Sequence, residues 1–324
     1  MMSDERQQAG NPEQQSAEWQ RELIERLALQ ASKEQQRTRR WGIFFKSLLF
    51  VYLFALLYLY LPSDLGTGLT EKHTALVELK GVISPNDEAN ADDVAAGLRD
   101  AFENEHSVAV ILRINSPGGS PVQAGYINAE IRRLRKKYPD KPLYAVVSDI
   151  CASGGYYVAV AADKIYADKA SIVGSIGVRM DGFGFVEAID KLGIERRLLT
   201  AGEHKGFLDP FLPEKESDVQ HVKGLLNDIH QQFIAAVRDG RGERLKETPE
   251  LFSGLVWTGD QAVELGLVDA LGSAGYVARE VIGEETIVDY TKKEELWERV
   301  SKRLGTALGK GVGQVLVGAS TQIR

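Results

Sequence analysis

Two glycine-rich segments and one histidine–lysine pair carry the residue types that acyl transfer needs. The first segment runs Ile111-Leu112-Arg113-Ile114-Asn115-Ser116-Pro117-Gly118-Gly119-Ser120, and the second runs Cys151-Ala152-Ser153-Gly154-Gly155-Tyr156-Tyr157. Each follows an apolar run of strand character, and the ends of strands in an α/β sheet are where sites form. Pro117 fixes one dihedral, while Gly118 and Gly119 let backbone amides turn toward a bound carbonyl. Ser153 stands where a helix begins, so its hydroxyl lies beside unpaired amides, including that of Gly154, which suit a developing oxyanion. The same position also fits a plain N-cap serine. A nucleophilic serine requires a base. Downstream, Thr200-Ala201-Gly202-Glu203-His204-Lys205-Gly206-Phe207 offers two. Histidine, with a reference pKa near 6.5, is ready to accept a proton. A lysine at its reference pKa of ~10.4 is neutral in only about one molecule in 2,500 at pH 7, and lowering that value by about three units costs roughly 4 kcal/mol, within reach of burial. The residues alone leave both bases open. Cys151, two positions before Ser153, reads as a small packing residue.

Strand-rich and helix-rich runs alternate around these segments. Thr74–Leu79, Val108–Asn115, Leu143–Ser148, Ile172–Val178 and Ile194–Thr200 have strand character. Ala91–Phe102, Val122–Lys136, Ala152–Ala162 and Phe183–Lys191 have helical periodicity or composition, and two more helices are expected near Glu214–Arg238 and Asp260–Leu265. Strands separated by helices imply parallel pairing covered on its faces, so the expected class is α/β.

Ahead of this region, residues 42–62 are nearly all apolar and as a helix would reach about 31 Å at ~1.5 Å per residue, enough to span a bilayer. Arg37, Arg39, Arg40 and Lys46 crowd its N-terminal side. By the positive-inside rule the N-terminus is then cytoplasmic and the rest of the chain lies outside. The run ends in Tyr-Leu-Pro-Ser-Asp rather than a small-residue cleavage site, which favours an uncleaved anchor over a signal peptide. The expected organisation is a cytoplasmic tail over 1–40, disordered through about residue 15 with Trp19, Leu23, Ile24 and Leu27 at helical spacing. An anchor over 41–62, a linker over 63–73 and a catalytic domain over 74–290 follow. A helical tail over 291–324 completes the chain, with Leu296, Val300, Leu304 and Leu308 at intervals of four. A formal net charge of −7 argues against a nucleic-acid partner. The single cysteine excludes an internal disulfide framework, and the five histidines show no metal-ligand spacing, so neither a metal nor another cofactor is expected.

Asn115-Ser116-Pro117-Gly118-Gly119, Ala152-Ser153-Gly154-Gly155-Tyr156-Tyr157, Gly174-Ser175-Ile176-Gly177-Val178 and Gly202-Glu203-His204-Lys205 resemble, in order and spacing, the bacterial signal peptide peptidase A family. Arg238-Asp239-Gly240-Arg241-Gly242 and Gly266-Leu267-Val268-Asp269 match it as well, so the resemblance spans roughly residues 74–285. It implies Ser153 as nucleophile, Lys205 as general base and Ser175 as the residue orienting the lysine. Because the Ser-Pro-Gly-Gly turn is similar to that of the caseinolytic protease and crotonase superfamily, it also implies a repeated ββα core and an oxyanion hole from Gly119 and Gly118 with Gly154. The implied substrates are signal peptides and fragments of membrane or misfolded proteins, hydrolysed at the bacterial inner membrane by a domain in the periplasm or outside the cell. Short-form relatives resemble homo-oligomeric rings in which one subunit's lysine serves its neighbour's serine. Two rival readings keep the fold: a protease processing a stomatin-like membrane partner, and a catalytically silent scaffold.

Overall fold

The computed structural model describes residues 35–37, 39–57 and 71–292. The expected amphipathic segment near Trp19, the end of the anchor at residues 58–62, the linker over 63–70 and the helical tail beyond residue 292 lie outside the described residues. Two units are distinguished, one on either side of Gly66 and Thr67. The first holds helix α1, Gln35–Leu57, which is 23 residues long with a mean hydropathy of 1.6 and is long and apolar enough to cross a membrane. It begins earlier than the anchor expected from residue 41, so Arg37, Arg39 and Arg40 form its opening turns.

The second unit is built on a mixed sheet. Its strands are β1 (His73–Lys80), β2 (Ser107–Ser116), β3 (Leu143–Ala152), β4 (Lys164–Ala167), β5 (Ile172–Gly174), β6 (Val256–Thr258), β7 (Ala270–Leu271) and β8 (Ile287–Asp289). They run in the order β6-β5-β3-β2-β1-β8, with β4 between β3 and β7. Every pairing is parallel except β5 with β6. The central strands are apolar on both faces, as strands covered on both sides must be. Ala75, Val77, Leu112, Ile114, Ala145 and Val147 face one core, whereas their neighbours Leu76, Ile111 and Val146 face a second, smaller one.

Helices α2 (Ala91–Glu103) and α3 (Pro121–Lys137) cover the larger core through Leu98, Ile127 and Ile131. Asn90 caps α2 by accepting from the Asp93 amide at 2.9 Å. Ser120 caps α3, Pro121 occupies its first turn and Arg135, Lys136 and Lys137 its last, in keeping with the helix dipole. Further helices are α4 (Gly154–Ala159), α5 (Val186–Lys191), α6 (Glu216–Arg241) and α7 (Gly259–Glu264), with a 3₁₀ turn at Gly242–Arg244, a short helix at Ala274–Tyr276 and a π-helical turn at Val277–Ile282 whose Val277 and Ala278 enter the second core.

One irregularity in β3 positions the site. Its first half pairs with β4 through Tyr144–Val146 and its second half with β5 through Ile150–Ala152, while the register against β2 shifts between Ile114 and Ser116. The strand bends at Ser148 and Asp149, and Ser171 Oγ holds the bend by donating to the Ser148 carbonyl at 2.5 Å. The end of β3 is thereby carried between the ends of β2 and β5.

Three expectations need correction. Ile194–Thr200 forms no strand: its Arg196 reaches Asp209 at 2.9 Å, Arg197 pairs with Glu195, and no strand among the described residues offers it a ladder. The strand at Ile172 stops at Gly174, because Gly174 (φ 112°) and Ser175 (φ 53°) leave the extended region. The helix after Ser153 ends at Ala159 and not Ala162, and tighter turns replace it, with Ala161 and Ala162 donating to Val158 and Ala159. Strands β4, β6, β7 and β8 were not anticipated at all; none exceeds four residues.

Candidate active site

Ser153 occupies the N-cap position of α4 but does not act as a cap. Its φ of 52° and ψ of −122° are not those of a capping residue, and its hydroxyl makes no capping hydrogen bond. Its backbone is held on both sides, with the N–H donating to Gly174 O at 2.8 Å and the carbonyl accepting from Tyr157 N at 2.9 Å. The hydroxyl is left facing a cleft of about 880 Å³ whose lining includes Gly118, Gly119, Gly154 and Ser175. Four expected site residues thus converge on Ser153.

The turn after β2 forms the near wall. Ile83 and Gly119 make an isolated parallel bridge, in which Ile83 N donates to Gly118 O at 2.9 Å and Ser120 N to Ile83 O at 2.8 Å. Both glycines are obligatory here. A Cβ on Gly118 (φ 95°) would lie 2.8 Å from Ser153 Cβ and 2.6 Å from Gly154 N, and one on Gly119 would lie 2.2 Å from Ile83 O. The Gly118 amide is already engaged, donating to Ser116 Oγ at 3.1 Å. The amides of Gly119 and Gly154 have no protein acceptor among the described residues. Of the three expected oxyanion donors, two are therefore free.

Tyr157, Ile229 and Phe233 close the far side, the last two from α6, with the Tyr157 and Phe233 rings 5.2 Å apart. Sequence reasoning missed these α6 residues, since nothing local distinguishes a cleft wall from an ordinary core face. It also missed Arg179, the one cation among the described residues that line this cleft. Ser175 has a left-handed backbone, its N–H donating to Leu255 O at 2.7 Å. Cys151 is fully buried opposite Ser116, and burial pushes its thiol up, away from a reactive thiolate.

Lys205 is not brought to this cleft within the chain. It is exposed on the turn over 201–208, outside the residues that line the cleft. His204 beside it is tied elsewhere, its Nδ1 lying 3.1 Å from Oδ1 of the buried Asp218 in the first turn of α6. The surrounding segment exposes Met180, Phe183, Leu192, Ile194 and Leu199, which a monomer in water has little reason to do.

A serine on a strand-to-helix turn, with free amides beside it and a largely apolar cleft before it, is the arrangement of an acyl-transfer hydrolase. Comparison with known proteins narrows the class. Residues 135–286 match Peptidase family S49. The chain is 33% identical over 228 residues to a putative protease of Methanocaldococcus jannaschii, covering 68% of this chain and 72% of that protein. It is 28% identical over 237 residues to a putative signal peptide peptidase of Enterococcus faecium, covering 71% and 68%. A third relative, named Na(+)/H(+) antiporter NhaA in Brucella abortus, is 47% identical over 188 residues, which are 58% of this chain and 25% of that protein. The chain thus spans about a quarter of the length of its Brucella relatives. It belongs to Peptidase family S49, the signal peptide peptidase A type of protease that its motifs resembled.

Proposed function

We propose that this chain is a membrane-anchored serine endopeptidase working by a Ser-Lys dyad on a caseinolytic protease and crotonase-like core. The observation that carries the proposal is Ser153 itself, an uncapped hydroxyl on a left-handed turn between the free amides of Gly119 and Gly154. Ser153 Oγ attacks a peptide carbonyl while Lys205 Nζ takes its proton. The amides stabilise the tetrahedral oxyanion, Lys205 returns the proton to the departing amine, and water hydrolyses the acyl-enzyme with Lys205 again as base. Ser175, on the same cleft wall, orients the lysine.

Lys205 comes from a neighbouring subunit. Its exposure in a single chain supports this reading, since an ammonium in water does not serve as a base and a covering neighbour removes that water. The exposed apolar residues around it supply surface for such a contact, and a ring of copies closes it. The substrates are apolar segments, signal peptide remnants and membrane-protein fragments among them. Val82, Pro121, Ile229 and Phe233 in the cleft lining suit such chains, and the E. faecium relative's name points the same way. With α1 as the anchor and its arginines cytoplasmic, the domain faces the periplasm or exterior of a bacterial inner membrane.

One observation favours a second reading. His204 Nδ1 is oriented by buried Asp218, as the histidine of a Ser-His-Asp triad is, so His204 rather than Lys205 could reach a neighbour's serine. Peptide hydrolysis by Ser153→Ala, Lys205→Ala and His204→Ala tests both. Loss in the first two with activity retained in the third supports the dyad. A dead His204→Ala with an active Lys205→Ala supports the triad, and full activity of Ser153→Ala sinks the nucleophile assignment.

A further inference from the structure

We propose that Ser116 is a positioning residue that aims the Gly119 amide at the reacting carbonyl oxygen; this rests on Gly119 and Gly154 forming the oxyanion hole. Ser116 ends β2 and is fully buried. Its Oγ donates to Gly81 O at 2.6 Å and accepts from Gly118 N at 3.1 Å. The hydroxyl therefore joins the segment after β1 to the turn that carries the oxyanion donors. Donating in one direction and accepting in the other uses its bonding capacity in a way no apolar residue reproduces.

The consequence for Gly119 is geometric. Both glycines of the turn have positive φ, 95° and 152°, and glycine peptides rotate readily when nothing fixes them. Ile83 fixes the Gly118 carbonyl and the Ser120 amide. The Gly118 amide is fixed by Ser116 Oγ, the one side chain among these tethers. Ile83 holds the peptide that carries the Gly119 N–H through the Gly118 carbonyl, and Ser116 Oγ holds the preceding peptide, so between them they fix the rotation at Gly118 that aims the Gly119 amide, the one left for a substrate. Ser116 also backs the nucleophile helix: a Cβ on Gly155 would lie 3.0 Å from Ser116 O and 3.4 Å from Ser116 Cβ, so the turn and α4 have no slack between them.

Losing one oxyanion donor costs about 10²–10³ in kcat, and misaiming one costs less. Ser116→Ala should therefore lower kcat about 10- to 100-fold with KM within about twofold, and should weaken a peptide aldehyde, whose adduct carries the oxyanion, by a similar factor. If Ser116→Ala does not fold, Ser116→Cys, of similar size but a weaker hydrogen-bonding group, should show the kcat loss with Tm near that of the unaltered protein. Wild-type kcat in a folded Ser116→Ala or Ser116→Cys overturns the proposal, and so does a loss shared equally by KM or explained by the unfolded fraction. Failure of the underlying reading looks different: a crystal structure of the unaltered protein's peptide-aldehyde adduct on Ser153 would then place the adduct oxygen away from the Gly119 and Gly154 amides.

Discussion

The backbone N–H of Ser153 donates to the carbonyl of Gly174 at 2.8 Å, which sets two strained serines side by side at the ends of adjacent strands. Ser153 has φ 52° and Ser175 φ 53°, and of the described non-glycine residues only Leu208 shares this left-handed region. Such conformations cost of order 1–3 kcal/mol each and persist where the surroundings enforce them, commonly at sites of chemistry. Ser153→Gly should accordingly abolish hydrolysis while raising stability by about 1 kcal/mol over Ser153→Ala. Thermal melts of the two inactive variants check this. Equal Tm values would mean that the turn stores no strain.

If the site is shared between subunits, two dead proteins should repair one another. Ser153→Ala and Lys205→Ala, co-expressed in equal amounts, leave about a quarter of the interfaces in a randomly mixed ring with an intact serine facing an intact lysine. Hydrolysis near a quarter of the normal rate per subunit is expected in mixed oligomers confirmed by mass. Mixed oligomers no more active than either parent would mean that the dyad forms within one chain.

Orientation in the membrane follows from Arg37, Arg39, Arg40 and Lys46 at the start of the apolar helix α1. A phosphatase that is active only outside the cytoplasm, fused after residue 70 or at the C-terminus, should be active in both fusions. Inactivity in both would reverse the orientation, and mature protein beginning near residue 63 would show a cleaved leader.

Arg241 is 1% exposed, with its Nη1 2.8 Å from Asp269 Oδ2 and its Nε donating to Gly266 O at 2.8 Å. Asp269 is also held by Arg244 at 3.0 Å and accepts from the Ile165 amide at 2.7 Å. Burial works against its charged form, but Arg241 and these other partners prevail and hold the carboxyl below the usual range. Arg241→Ala takes one of the three partners from that part-buried carboxylate and empties the buried guanidinium site, and should cost about 3–5 kcal/mol. Chemical denaturation measures it. A change under about 1 kcal/mol would remove Arg241 from the stabilising core.

The chemistry was more legible in the sequence than the assembly. Ser153, Gly118, Gly119 and Gly154 lie within a few residues of apolar strands, so local pattern placed them at one end of the sheet, whereas Ser175 came from the family resemblance and the expected strand Ile172–Val178 put it in mid-strand; all five line one cleft. The role of Ser153 as a cap was equally readable and was removed by its backbone angles and by the lack of a capping hydrogen bond from its side chain. Arg241 and Asp269 were visible as motifs but gave no sign that their work is a buried ion pair. The cleft wall from α6 depends on a contact between distant segments that leaves no periodic trace. Ile194–Thr200 has strand composition without a strand partner, which propensity cannot foresee.

The central claim, that Ser153 is a nucleophile activated by Lys205, is tested most directly by covalent labelling. The full-length protein is treated with a fluorophosphonate and the adduct is mapped by peptide mass spectrometry, with labelling rates followed in the unaltered protein and in Lys205→Ala and His204→Ala. The account predicts one adduct, on Ser153, forming at least about 100-fold more slowly in Lys205→Ala and at a near-normal rate in His204→Ala. An adduct on another residue, or labelling of Ser153 that survives Lys205→Ala and disappears in His204→Ala, would contradict it.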